Sequence, residues 1–137
     1  MTRKCAILSM DSLADFEAYD YLFDAPLLAL GWETELISWR KTDVNWSGYD
    51  AVIIRTPWDY QDDMDGFLSV LATIEESTAH LENSLAVVRW NINKSYLQTL
   101  AQNGVLIVPT LWPEQCLVNN IAGYFEHFST DQIVLKP

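Results

Sequence analysis

The stretch Ala51-Val-Ile-Ile-Arg-Thr-Pro-Trp-Asp-Tyr60 joins an unbroken apolar run to a polar and aromatic end. An apolar run without alternation is typical of a strand that is covered on both faces, as in parallel sheets. The other predicted strands are Cys5–Met10, Glu35–Trp39, Val105–Val108 and Ile133–Leu135. The pattern therefore predicts an α/β fold built on a parallel sheet.

Helical segments separate most of these strands. The predicted helices begin at Asp24, at Asp62 or Asp63, at Asn91 or Asn93, and near Pro113. Each has apolar residues at helical spacing, and a glycine, Gly31 or Gly104, ends the first and the third. Strands that alternate with helices are connected by right-handed crossovers, so we expect a Rossmann-like arrangement.

Composition limits the classes of function. The 137 residues carry 19 acidic side chains against eight Lys and Arg, a formal charge of −11, so the chain lacks the basic surface of a nucleic-acid binder. No apolar run reaches the roughly 18 residues of a membrane span. The N-terminus also lacks the apolar core of a signal peptide, so we expect a cytoplasmic protein. Cys5 and Cys116 are expected to be two buried thiols rather than a disulfide or a zinc site.

The scarcity of cations makes their positions informative. Four of them flank the first two strands and are expected to be solvated: Arg3, Lys4, Arg40 and Lys41. The other four lie at or near the ends of predicted elements, where α/β proteins build sites: Arg55, Arg89, Lys94 and Lys136.

The connection between the first strand and the first helix is long and acidic. It runs from Ser9 to Phe23, whereas about two to six residues are usual, and it includes Asp11 and Asp20. Open α/β sheets place ligands at the carboxyl ends of their strands. Asp11 is therefore a candidate substrate-binding residue for an amino-bearing group. A surface loop with an extra helical turn is the alternative.

The end of the third strand supplies two more candidate substrate-binding residues. Arg55 can hold a carboxylate bidentately, and Asp59 with Tyr60 can orient an amine or a hydroxyl. We predict that Arg55, Asp59 and the acidic loop converge on one crevice. In the alternative interpretation, Trp58 and Tyr60 only pack the corner while Arg55 pairs with a nearby acid.

Two lysines are candidates for a phosphate site. Lys94 follows the Asn-rich start of a predicted helix, and this would place it in a first turn, where the helix dipole disfavours a cation. Lys136 ends an apolar strand and is partly desolvated unless an anion meets it. Solvated, independent surface lysines are the alternative.

Taken together, the chain resembles the ATP-grasp superfamily, in particular its glutathione-synthetase-like branch of carboxylate–amine ligases, which includes small amino-acid ligases and the cyclo-ligase of cycloserine biosynthesis. The segments that carry the resemblance occur in the family's order: Ala29–Glu33, Val44–Trp46, Tyr49–Asp50, Arg55–Tyr60, Arg89–Lys94, Val108–Thr110 and Val134–Pro137.

The resemblance implies a division of the chain into a substrate-side pre-ATP-grasp domain, residues 1–88, and the incomplete start of an α+β ATP-grasp subdomain, residues 89–137. It assigns ATP phosphate contacts to Lys94 and Lys136 and implies ATP and Mg²⁺ as cofactors of a longer parent protein. Small-molecule carboxylates and amines are then the substrates. The glycine-rich loop and the metal ligands expected of the family would follow Pro137, so this portion alone is expected to be inactive.

Two other interpretations stay open. A response-regulator-like receiver would use Asp11, Asp59, Thr110 and Lys136, but the 59–110 interval is too long for one helix and one strand. A non-catalytic α/β binding or scaffold module is the other. An incompletely covered module would also expose an apolar patch that favours homo-oligomers.

Overall fold

The structure, a computed structural model, describes residues 2–112 and 120–135. The chain divides into two compact units, Met1–Arg89 and Trp90–Pro137. Among the described residues, no helix combines the length and the apolar character that crossing a bilayer requires.

A parallel four-stranded sheet forms the centre of the first unit. Its strands are β1 (Arg3–Ser9), β2 (Trp32–Ser38), β3 (Ala51–Thr56) and β4 (His80–Glu82). The spatial order is β2-β1-β3-β4, and every neighbouring pair is parallel. The predicted parallel α/β, Rossmann-like fold is thereby confirmed, with β4 as a strand that the sequence pattern did not predict.

Two helices of the first unit begin close to the predicted starts, α1 (Asp24–Ala29) and α2 (Met64–Glu76). A further helix, α3 (Leu85–Asn91), was not predicted from the sequence. There are 3-10 turns at Asp20–Phe23, Trp46–Gly48 and Trp58–Asp62. Asp63 caps α2, since its carboxylate accepts the Gly66 N–H at 2.9 Å. The α2 face predicted to be apolar is buried: Phe67, Leu71 and Ile74.

The core lies around β1, which is central in the sheet. Residues 5–8 are all buried, as expected for a strand that is covered on both faces. Trp39, just after β2, packs edge-on against Phe67 of α2, with ring centroids 5.5 Å apart. Cys5 is a free, buried thiol, and burial raises its pKa. Cys116 lies outside the described residues.

The second unit contains the helices α4 (Tyr96–Gln102) and α5 (Ile121–Phe128). The predicted strands Val105–Val108 and Ile133–Leu135 are wrong, because neither segment pairs with a strand within the described ranges. Leu106 is 99% exposed and Val108 is 80% exposed. An apolar run becomes a strand only where another strand accepts its backbone hydrogen bonds.

Candidate functional site

The strand order produces a topological switch point between β1 and β3. The chain passes from β1 to β2 on one side and returns across β1 to β3 on the other side. Crossovers that leave in opposite directions open a crevice at the carboxyl ends of the two strands. The two polar segments singled out in the sequence, the acidic loop after β1 and the segment after β3, both begin here.

An open cavity of about 420 Å³ occupies this position. It is lined by both segments: Met10, Asp11, Ser12 and Phe16 after β1, and Trp58, Asp59, Gln61 and Asp62 after β3. Phe16 and Trp58 contact each other in its lining, with ring centroids 5.3 Å apart and ring planes inclined at 55°. The cavity therefore combines an aromatic pair with three carboxylates, a set of groups suited to a small ligand with a cationic or amino end.

Asp59 is held from two sides. One carboxylate oxygen accepts the Trp39 indole N–H at 2.7 Å, and the other accepts the Arg40 Nε–H at 2.7 Å. Burial is the largest influence and would raise the pKa of Asp59, but these hydrogen bonds hold the pKa below its ordinary value. The same contact raises the pKa of Arg40. Asp59 is thus a fixed negative charge in the cavity wall.

Asp11 lines the same cavity, and its carboxylate accepts fewer hydrogen bonds than that of Asp59. One of its oxygens accepts the Ser38 hydroxyl at 2.5 Å, and Ser38 ends β2. Within residues 2–112 and 120–135, the other oxygen has no hydrogen-bond partner. Asp11 is exposed, so that oxygen can accept a hydrogen bond from an incoming amine.

Arg55 contacts the far end of the acidic loop instead of the cavity wall. Its Nε lies 3.2 Å from a carboxylate oxygen of Asp20, and its guanidinium lies over the Phe23 ring, 4.9 Å from the centroid. Of the residues predicted to converge on one crevice, Asp11 and Asp59 line the cavity, whereas Arg55 lies outside its lining. Arg55 instead pairs with a nearby acid, as the alternative interpretation held.

Arg40 is a correction to the sequence analysis. It was expected to be solvated, yet it bonds Asp59 through Nε, reaches the Asp59 carbonyl through Nη2 at 3.3 Å, and stacks over Trp39. Arg40 follows β2, so it too lies at the carboxyl edge of the sheet. The rule that pointed to the ends of β1 and β3 would have found it. Gln61 and Asp62 also line the cavity but were not predicted as site residues.

Of the two candidate phosphate-binding lysines, one lies in the described residues. Lys94 is half-buried and lies two residues before α4, not in the first turn as predicted. The reason is local, because the Asn93 side chain accepts the Ser95 N–H at 2.9 Å and the helix begins only after this turn. The dipole argument for Lys94 therefore does not apply. Lys136 lies outside the described residues.

Magnesium and ATP would each need side chains that can hold them. The described part of the chain contains no group of three or more His, Cys, Asp or Glu side chains that could hold a metal ion. Of the two lysines assigned to phosphates, it places only Lys94. These residues alone therefore do not fit a magnesium–nucleotide complex.

This chain is similar to a known protein in sequence and in structure. Residues 5–83 match the family model described as D-cycloserine synthetase DcsG, N-terminal domain. The cycloserine biosynthesis protein DcsG of Streptomyces lavendulae is 33% identical over 81 residues, which cover 59% of this chain and 27% of that protein. The crystal structure of D-cycloserine synthetase DcsG aligns with a TM-score of 0.64 and 26% identity. That alignment covers 92% of this chain and 43% of the other.

The matched region contains the whole sheet edge described above. Asp11, Asp20, Arg55 and Asp59 all fall within residues 5–83, whereas Lys94 and Lys136 fall outside them. The chain spans less than half the length of either relative.

Proposed function

The chain belongs to the family of D-cycloserine synthetase DcsG N-terminal domains, and from that premise we propose that it is the substrate-side part of an ATP-dependent carboxylate–amine ligase of the ATP-grasp superfamily. The observation that carries the proposal is the cavity at the β1–β3 switch point, which lies inside the matched region. Its parent protein would act on small molecules and bind no nucleic acid, in keeping with the charge of −11.

In ligases of this superfamily, ATP phosphorylates a carboxylate, ADP leaves, and an amine then displaces phosphate from the acyl phosphate. This chain would contribute to binding and orientation. Asp11 and Asp59 provide negative charge for the amino group of a substrate, and Arg55 provides a guanidinium for a carboxylate. The aromatic pair Phe16–Trp58 would exclude water from the apolar part of the ligand.

Hydroxylamine trapping tests the reaction class. The complete open reading frame that contains this chain is incubated with ATP, Mg²⁺ and D-amino acids as trial carboxylates, and hydroxylamine is added as the nucleophile. An acyl phosphate would react with it to form a hydroxamate and phosphate, so hydroxamate and ADP should appear in equal amounts. A protein that binds these carboxylates but forms neither product would be a non-catalytic binding module instead.

The two lysines test the nucleotide part of the proposal. Binding of ATP to the same full-length protein is followed by calorimetry with Mg²⁺. Lys94→Ala and Lys136→Ala should each weaken it by about 1.5–3 kcal/mol, the usual worth of a hydrogen bond to a charged group. Lys41→Ala, in the first unit and outside the cavity lining, is the matched control. Unchanged affinity in both test variants would identify the lysines as surface charges.

A further inference from the structure

Arg55 presents one edge of its guanidinium to the protein and the other edge to solvent. It is the penultimate residue of β3, and its side chain is 42% exposed. Its Nε bonds Asp20, and its flat face rests on Phe23. In the described part of the chain, Nη1 and Nη2 have no hydrogen-bond acceptor. The outer edge, with two parallel N–H groups, has the geometry that binds a carboxylate bidentately.

Asp20, the partner of Arg55, is fixed by the sheet. It is 6% exposed, and its second oxygen lies 2.6 Å from the Thr56 hydroxyl oxygen, which also lies 2.8 Å from that of Ser9. A hydroxyl has a single hydrogen. Thr56 donates it to the carboxylate, so Ser9 donates to Thr56. The order Ser9 to Thr56 to Asp20 ties the loop to both β1 and β3.

Arg40, at the same sheet edge, makes more hydrogen bonds to the protein than Arg55 does. It uses Nε for the Asp59 carboxylate and Nη2 for the Asp59 carbonyl. Part of its outer edge is therefore consumed by the protein itself. Arg55 has the same kind of inner contact but keeps its outer edge open.

We propose that Asp20 is a positioning residue that presents Arg55 as an end-on receptor for the carboxylate of a small-molecule substrate. The inference rests on the proposed function, in which this sheet edge is the substrate side. Asp20 would not touch the substrate. It fixes the guanidinium before the ligand arrives, so the side-chain entropy of Arg55 is already lost and does not oppose binding.

Acetate is the probe, because it carries the carboxylate and nothing else. The complete open reading frame that contains this chain is expressed with ¹⁵N-arginine, and the Arg55 Nε–Hε resonance is assigned with Arg55→Lys. Sodium acetate then replaces sodium chloride at constant ionic strength, so that the titration measures preference for a planar carboxylate over a spherical anion. The wild-type Arg55 resonance should shift saturably.

Asp20→Asn should weaken the affinity of Arg55 for acetate by about 2- to 10-fold, because the Arg55 side chain is then mobile and must be ordered on binding. The variant should also lose the preference for acetate over chloride. An amide whose oxygen accepts the Thr56 hydrogen turns its NH2 group toward Arg55, which repels the guanidinium. In the opposite orientation its oxygen accepts from Arg55, but as a neutral acceptor it holds the guanidinium less firmly than the carboxylate does. Glu35→Gln, which removes the same unit of charge from a carboxylate bonded to Tyr49, should leave the response unchanged.

Two results of the titration would overturn the proposal: no acetate response at Arg55 in the wild type, or equal affinity and preference in Asp20→Asn. If the variant fails to fold, ¹⁵N relaxation of the arginine Nε atoms in the wild type tests the proposal instead. Arg3 also stacks on an aromatic ring, Trp32, but its side chain has no hydrogen bond within the described residues. The Arg55 Nε should be more rigid than the Arg3 Nε by ¹⁵N relaxation, and equal mobility would refute the role of Asp20.

Failure of hydroxamate formation with the acetate response intact would instead reject only the ligase proposal.

Discussion

At the scale of single residues, two guanidinium–carboxylate pairs share one edge of the sheet and differ in burial. In the Arg40–Asp59 pair, about a quarter to a third of each side chain is exposed, 32% for Arg40 and 24% for Asp59. In the Arg55–Asp20 pair, the Asp20 side chain is almost completely buried, whereas 42% of the Arg55 side chain is exposed. The first pair stabilises the cavity wall, and the second directs a charge outward.

Asp59 gives the first unit a pH-dependent contribution to stability. Because its pKa is lower in the folded than in the unfolded state, the contribution is complete above the ordinary pKa of about 3.9 and is lost as pH falls through the folded pKa. Asp59→Asn keeps an acceptor for Trp39 and loses the charged contact with Arg40. We expect it to lower the free energy of unfolding at pH 7 by no more than about 1 kcal/mol, because solvent screens the pair.

Urea unfolding at pH 7 and at steps down to pH 3 measures this effect. The gap between wild type and Asp59→Asn should narrow as the wild-type carboxylate is protonated. Asp62→Asn is the control, because Asp62 lines the same cavity without a side-chain hydrogen bond in the described chain, and it should stay within about 0.5 kcal/mol of wild type. A gap that does not change with pH would show that the Asp59 charge does not stabilise the fold.

At the scale of elements, the start of α2 couples two positions. The Asp63 carboxylate caps the helix by accepting the Gly66 N–H, and a Cβ at Gly66 would overlap that carboxylate. Asp63→Ala should cost about 1 kcal/mol. Gly66→Ala should be nearly neutral, because a helix-propensity gain of about 1 kcal/mol is offset by loss of the cap.

A double-mutant cycle on unfolding free energy checks this coupling. In the Gly66→Ala background the cap is already displaced, so removing Asp63 should cost little, which gives an interaction energy of about 1 kcal/mol. Gly123→Ala in α5 is the uncoupled comparison, since a Cβ there meets nothing within 4 Å, and it should simply slow amide exchange in that helix. Additive effects at positions 63 and 66 would mean that the cap does not form in solution.

The elements differ in how far the sequence predicts them, and the reasons are physical. The sequence predicts β1 and β3, because a strand buried on both faces has an unbroken run of apolar residues. It also predicts the buried face of α2, because a helix buried on one face has apolar residues at helical spacing. β4 has one buried residue in three, too short a pattern to recognise. Arg40 follows the end of β2 and could have been identified by the same strand-end rule as the other site residues, and the strand order places the end of β2 beside that of β1. Exposed runs such as Val105–Val108 look like strands but have no partner within the described residues.

At the scale of the whole molecule, the two units should differ in amide exchange. Residues 5–8 lie in the central strand, are buried and pair on both sides, so their amides should exchange only through global unfolding. Residues 106–110 donate no backbone hydrogen bond within the described chain and should exchange close to the rate of an unfolded peptide. Hydrogen–deuterium exchange with mass spectrometry compares the two segments directly. Protection at 106–108 would indicate that the predicted strand forms in solution.

The central position of β1 also affects how the sheet can form during translation. β1 is synthesised before the other strands of the sheet, and its Ser9 meets Thr56 only after another 47 residues have been added. Until then, the nascent chain carries an apolar strand with one edge unpaired and an Asp20 carboxylate without either of its bonding partners. Domains generally fold as units during translation, and a non-local parallel pairing must await its second strand. A translational pause before residue 56 would therefore hold the chain in its most aggregation-prone state, whereas a pause after β4 would give the whole sheet time to close.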